Sequence, residues 1–204
     1  MNNRVDLSAF DAAWRVRWPD SRPIGHELRS TAHKTWVRFH SLPESKRYAE
    51  NNAEHREILT RHLTVLNDLS SSAGTPIDNL RVITLAWSGS AEPTQRDSEL
   101  VSATSPAEYW QILPYDLSDP DYPYWVHLYV GRTSVGTDEL RSLLRLVADD
   151  RTSEVIFAPA TATWLYHPYD GGGDVIAPDL ATRDALKRRY AEWLSPHPLG
   201  PVTS

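Results

Sequence analysis

The 204-residue chain contains no cysteine. That absence excludes a disulfide framework, a thiolate zinc centre, an iron–sulfur cluster and a cysteine nucleophile. No apolar run approaches the roughly 18 residues that a membrane span requires, so no membrane contact is expected. The first residues, Met1 to Asp6, lack the basic start and apolar stretch of a secretory leader, which makes the cytoplasm the expected compartment. Positive charge is in the minority, with 21 Lys and Arg against 27 Asp and Glu and a net charge of -6. The molecular field therefore repels phosphate backbones, and nucleic acid is an unfavoured partner. The one basic cluster, Arg183, Lys187, Arg188 and Arg189, reads as the solvated face of an amphipathic helix. Also missing are a phosphate-cradling Walker loop, a dinucleotide glycine pattern, His-Glu-x-x-His and a Gly-x-Ser-x-Gly elbow. Catalysis loses weight on that ground, and no cofactor or metal is expected.

What is present is ample apolar and aromatic material: eight Trp and nine Tyr within a 40% apolar chain, enough for one core over residues 1–204. A first helix is expected from a cap at Ser8, with Phe10 and Trp14 on one face. Residues 34–40 read as a strand in which Val37 and Phe39 face away from Trp36 and Arg38. A long helix follows from Asn51 to Leu69 on the stripe Leu59, Leu63, Leu66 and Leu69. Residues 81–87 form a strand apolar on both faces, and the polar stretch 88–108 reads as a long mobile loop. Tyr109–Tyr115 and Tyr122–Val130 suit an antiparallel hairpin across an acidic turn holding Asp116, Asp119 and Asp121. Thr137 caps a helix burying Leu140, Leu143, Leu144 and Val147. Short strands at 154–158, 163–167 and 174–176 precede a last helix capped by Asp179. Because strands arrive in runs, the expected fold is α+β: a mainly antiparallel sheet of about six strands covered by three to four helices.

Two constellations carry the candidate chemistry. Tyr166-His167-Pro168-Tyr169-Asp170-Gly171-Gly172-Gly173-Asp174 combines three glycines, which tolerate positive φ and close approach to a ligand, with two carboxylates. It reads more readily as a hairpin turn in which Asp170 caps its own backbone and Tyr166 and Tyr169 pack at the sheet end. The other runs from Phe39 and His40 through Lys46 and Arg47 to Tyr48. Lys46 and Arg47 stand near a helix entrance where an anion could be received, although Pro43 and Ser45 also suit a plain turn. His55 and His62, about two helical turns or roughly 10 Å apart, are too distant to chelate one ion. His127, between Trp125 and Tyr129, suits a hydrogen-bonded structural histidine better than a general base.

The blocks Trp36 to Pro43 with Ser45 to Tyr48, Tyr166 to Gly172 with Asp174, and Tyr190 with Trp193-Leu194-Ser195 and His197-Pro198 resemble the bacterial domain of unknown function 3885 family. The resemblance spans most of the chain and implies no catalytic assignment. A loose association of such proteins with prophage or DNA binding conflicts with the charge of -6. It does imply that the blocks act together, with the Arg38 to Tyr48 segment meeting the glycine loop.

These features suit a non-catalytic module, immunity-like or regulatory, that binds another protein, a basic one by charge. The binding residues expected are Arg38, His40, Lys46, Arg47, Tyr166, His167, Tyr169, Asp170 and Asp174. The rival is an enzyme acting on a small molecule or phosphoester at the Tyr166 to Asp174 loop; nucleic-acid binding comes third.

Overall fold

A computed structural model of the protein describes residues 5–32, 34–104, 106–119 and 121–194. Seven strands, β1 (Trp36–His40), β2 (Leu80–Ser88), β3 (Glu108–Asp116), β4 (Tyr124–Thr133), β5 (Ile156–Ala158), β6 (Leu165–Tyr169) and β7 (Gly172–Ile176), form one sheet in the order β1-β7-β6-β5-β2-β4-β3. Every pairing is antiparallel. The helices are α1 (Leu7–Arg17), α2 (Leu28–Thr31), α3 (Asn52–Ser72), α4 (Ser98–Ser102), α5 (Asp138–Ala148) and α6 (Leu180–Arg189). The α+β class stands, with one strand more than expected.

Strand alternation sorts side chains onto two faces, and each face carries its own core. Val37, Phe39, Val82, Phe157, Tyr166 and Val175 turn toward α3, α5 and α6, where Leu66, Leu144 and Leu186 meet them. Ile83, Val126, Leu128, Leu165 and Ile176 turn the other way, onto Phe10 and Trp14 of α1 and onto Ile24 and Leu28. The sheet is thus sandwiched between helices, and its central strands, as expected for β2, are apolar on both faces.

The helix caps follow local rules. The Asn51 side chain accepts from the Ala53 and Glu54 amides, that of Thr137 from Leu140 and that of Asp179 from Thr182. At α1 the cap is Asp6, accepting from the Ala9 amide, and not Ser8, which lies inside the helix. The stretch 88–108, expected as a bare loop, contains α4 and covers the α3 side of β2 and β4. Arg96 Nη1 donates to Thr84 and Thr104, the Tyr129 hydroxyl to the Thr94 carbonyl, and Leu100 is buried. His127, fully buried, donates through Nε2 to the Ser90 carbonyl at 2.9 Å and takes the Tyr109 hydroxyl at Nδ1 at 3.3 Å, a structural histidine. Among the described residues no helix is long and apolar enough to cross a membrane.

Candidate functional site

The glycine-rich stretch is mostly strand. Tyr169 pairs with Gly172, so β6 and β7 form a tight hairpin turning at Asp170 and Gly171. Asp170 Oδ1 accepts from the Gly171 amide at 2.9 Å, the self-capped turn that the sequence allowed. The glycines do not serve positive φ, and the space that they leave is filled by the protein itself. A Cβ at Gly172 would stand 2.3 Å from the Phe39 carbonyl oxygen, and one at Gly173 would stand 2.4 Å from the Tyr166 hydroxyl. They let β1 and two tyrosine rings close on the hairpin.

That closeness brings the two constellations together. Arg38 pairs in register with Asp174 across β1 and β7. Its Nε and Nη2 donate to the two Asp174 oxygens at 2.7 and 2.8 Å. The pair is nearly enclosed, with side chains 12% and 4% exposed. Burial alone would push the Arg38 pKa down, but the bonds to Asp174 hold it above its ordinary value. One turn away, Arg47 Nε donates to Asp170 Oδ2 at 2.5 Å, and Ser41 donates its amide to the Gly171 carbonyl.

Around these pairs lies a cleft of about 390 Å³. Its lining draws Arg38, Arg47, His167, Tyr169, Asp170 and Asp174 from the expected site residues and adds His26, Arg29, Asp150 and Glu154. His167 is buried against Gly25, where a Cβ would strike its ring at 2.3 Å, and its Nδ1–H donates to the Val155 carbonyl at 2.9 Å. Nε2 of this tautomer is left with its lone pair. Glu154 accepts the His26 amide at 3.1 Å and pairs with its Nδ1 at 2.8 Å. Burial, then the Asp174 charge, raises the Tyr169 phenol well above its usual pKa and keeps it a donor.

Three expected residues stand elsewhere. Lys46 is held by Glu54 at 2.8 Å and Glu50 at 3.1 Å outside the cleft, so it offers no anion seat, and Asn51 already caps the helix entrance. Tyr166 alternates to the opposite sheet face, where its hydroxyl meets His62 Nδ1 at 2.5 Å in the core. His40 shares the Arg38 face but does not line the cleft; burial, with the charges of Arg38 and Arg61, lowers its pKa against a bond to the Gly171 backbone. His26 and Arg29 escaped sequence reasoning because they come from a segment without a periodic pattern, and Glu154, at the start of an expected strand, stands in no motif. The signal closest to hand was Gly25 beside His26.

A second surface gathers on the same sheet side, at the end of the β3–β4 hairpin. Trp87 meets the Tyr115 ring edge-on at 4.8 Å and stacks with Tyr124 at 5.5 Å. Tyr115, Leu117, Tyr122 and Tyr124 are exposed, and Asp116, Asp119 and Asp121 stand exposed among them. The Arg22 guanidinium lies 5.2 Å over the Tyr115 ring. His26 joins the two regions, its Nε2 lying 3.4 Å from the Tyr115 hydroxyl. A further hollow between α4 and α5 is lined by three serines and by the charged side chains of Glu99, Arg145, Asp149 and Arg151, with the Arg151–Glu99 ion pair across it.

The fold and cleft define a class: an α+β protein whose antiparallel sheet ends in an arginine–aspartate-braced hairpin. The chain belongs to the family described as Domain of unknown function (DUF3885), which matches residues 24–198. That match takes in the whole cleft and the β3–β4 hairpin and leaves out α1. No curated protein and no solved structure matches the chain.

Proposed function

We propose that the protein is a non-catalytic recognition module of the immunity or regulatory kind, acting in the cytoplasm, and that it binds a basic protein partner at the end of the β3–β4 hairpin. The observation that carries this reading is the exposed aromatic cluster Tyr115, Tyr122 and Tyr124, backed by Trp87 and interleaved with Asp116, Asp119 and Asp121. Tyrosine rings on a rigid sheet give contact area at low entropic cost, and the aspartates select lysine and arginine. The Tyr115 ring already hosts a guanidinium, that of Arg22, which is the contact a partner arginine would make. Strand addition at β3 is disfavoured by its two register irregularities and by Pro114, so side chains carry the recognition. Against the enzymatic alternative, the two carboxylates it would use, Asp170 and Asp174, are each paired with an arginine.

The test is capture from native lysate with three baits: the intact chain, a Tyr122→Ser, Tyr124→Ser variant, and Arg47→Gln. A basic protein held by the first and third, released by salt and lost from the second, supports the reading. Equal retention by the hairpin variant, or no partner from a folded bait, overturns it.

A further inference from the structure

The cleft between β6, β7 and the segment 150–154 has an unbalanced set of hydrogen-bonding groups. Its acceptors are largely consumed inside the protein: both Asp174 oxygens by Arg38, the two Asp170 oxygens by Arg47 and the Gly171 amide, and Glu154 by His26. Its donors are not. Among the described residues Arg38 Nη1 makes no bond, Arg47 uses only Nε, and Arg29 has no carboxylate partner. The Tyr169 hydroxyl likewise has no acceptor among the described residues; the Arg38 guanidinium lies 5.1 Å over its ring, and Arg29, Asp170 and Asp174 line the same cleft. A cavity of about 390 Å³ matches the lower part of the range, roughly 300–1,000 Å³, in which small ligands bind.

The wall of the cleft is fixed by local contacts. Asp150 (φ 54°) is the left-handed residue that ends α5, its amide donating to the Val147 carbonyl and that of Arg151 to the Leu146 carbonyl. Glu154 accepts the His26 amide and pairs with its Nδ1, which ties the segment 150–154 to His26.

We propose that this cleft binds the phosphate group of a small phosphomonoester, with Arg29, Arg38 Nη1 and the Tyr169 hydroxyl as donors and Arg47 at the rim. Guanidinium groups present planar pairs of N–H donors that suit phosphate oxygens, and a phenol adds a neutral donor. The proposal is of binding alone; the cleft's two buried carboxylates, Asp170 and Asp174, stay with their arginines. Asp150, exposed beside Arg47, is the one cleft carboxylate left without a hydrogen-bonded partner among the described residues, and it opposes the anion. This site stands independently of the hairpin surface.

The experiment is isothermal titration of the intact chain at low ionic strength with ribose 5-phosphate, inorganic phosphate, ribose and citrate. Saturable binding of ribose 5-phosphate, weaker binding of phosphate and none of ribose are expected. Arg29→Gln and Tyr169→Phe should each weaken ribose 5-phosphate by about tenfold, while Asp150→Asn should tighten it by about threefold. Arg29 is partly exposed, so its variant keeps the fold and decides the matter if Tyr169→Phe does not. No heat with either phosphate, binding unchanged by Arg29→Gln, or binding of citrate alone overturns the proposal.

Discussion

The two ends of the sheet treat charge in opposite ways. At the β1-β7-β6 edge, Arg38 and Asp174 are turned inward and spend their bonds on each other, in a setting where the side chains are 12% and 4% exposed. At the β3–β4 hairpin, Asp116, Asp119 and Asp121 are turned outward, and their recorded bonds are short-range ones to Ser118 and to the Asp121 amide. The first arrangement stabilises only when complete, because a buried charge without its partner is costly. The second costs the fold little whether or not a partner is present. One edge is built to hold its shape, and the other is free to be spent on an interface.

Removing one member of the inward pair should therefore give the largest effect. Asp174→Ala leaves the Arg38 guanidinium buried and unpaired, and a loss of about 3–5 kcal/mol is expected from urea unfolding. Asp170→Ala should cost far less, about 1 kcal/mol, because the Arg47 side chain is 64% exposed and can turn to water. Equal losses would show that the Arg38–Asp174 pair is no more than a surface contact.

The interior behind this edge adds a pH dependence of its own. His62 is buried between Tyr166 and Ser41, and burial lowers its pKa to about 4. An unfolded histidine titrates near its ordinary value, about 6.5. Between those values the unfolded chain binds the extra proton, so stability is fully present above pH 6.5 and falls as the pH drops toward 4. The expected loss is about 3 kcal/mol across that window. Carboxylates titrate in its lower part, so the diagnostic is the difference between the wild type and His62→Gln in urea melts at pH 7 and pH 4.5. The variant should lose less over that interval; identical losses would mean that His62 is not the group responsible.

What the sequence made legible is what neighbours within a few residues decide. Thr137 and Asp179 cap helices because the amides they serve lie three positions on, and the alternation of Val37 and Phe39 with Trp36 and Arg38 is intrinsic to a strand. The cap of α1 was misplaced by two residues because Asp6 and Ser8 both carry an oxygen suited to the task. α2 and α4, at four and five residues, are too short to show a stripe. The glycines of the β6–β7 hairpin leave a ligand reading open beside the favoured turn, since nothing local reveals that Phe39 and Tyr166 occupy their space. Arg47, Asp170 and Asp174 could be nominated from unusual composition and Arg38 from the family resemblance, but which side chains would pair could not. Arg29 and Glu154 reach the cleft only through tertiary contacts, and no spacing predicts them. Lys46 was readable in principle, because Glu50 and Glu54 stand four and eight residues on.

Glycine substitutions sharpen the contrast within the rigid edge itself. At Gly172 a methyl group would meet backbone, the Phe39 carbonyl, at 2.3 Å, whereas at Gly171 its nearest neighbour is the flexible Arg47 side chain at 3.4 Å. Gly172→Ala should cost about 2 kcal/mol and Gly171→Ala less than about 0.5 kcal/mol in thermal or urea unfolding. A near-neutral Gly172→Ala would mean that β1 and β7 can separate without loss, and the edge would no longer count as rigid.

The smallest effect on folding belongs to the hairpin, and its smallness is the point. Tyr122 is 81% exposed, so Tyr122→Ala should change unfolding by less than about 0.5 kcal/mol. The substitution Asp116→Asn, Asp119→Asn, Asp121→Asn removes three negative charges while keeping side-chain volume, and the turn bonds to Ser118 and to the Asp121 amide can persist through the amide oxygens. Unfolding should therefore stay nearly the same. Association with a basic partner should slow and lose much of its salt dependence, as read by stopped-flow or surface-plasmon kinetics at two ionic strengths. If the triple variant instead unfolds easily, the aspartates are structural and the hairpin resembles the opposite edge. If it folds well and associates at an unchanged rate, the acidic rim plays no part in choosing the partner, and any recognition there rests on the tyrosine rings alone.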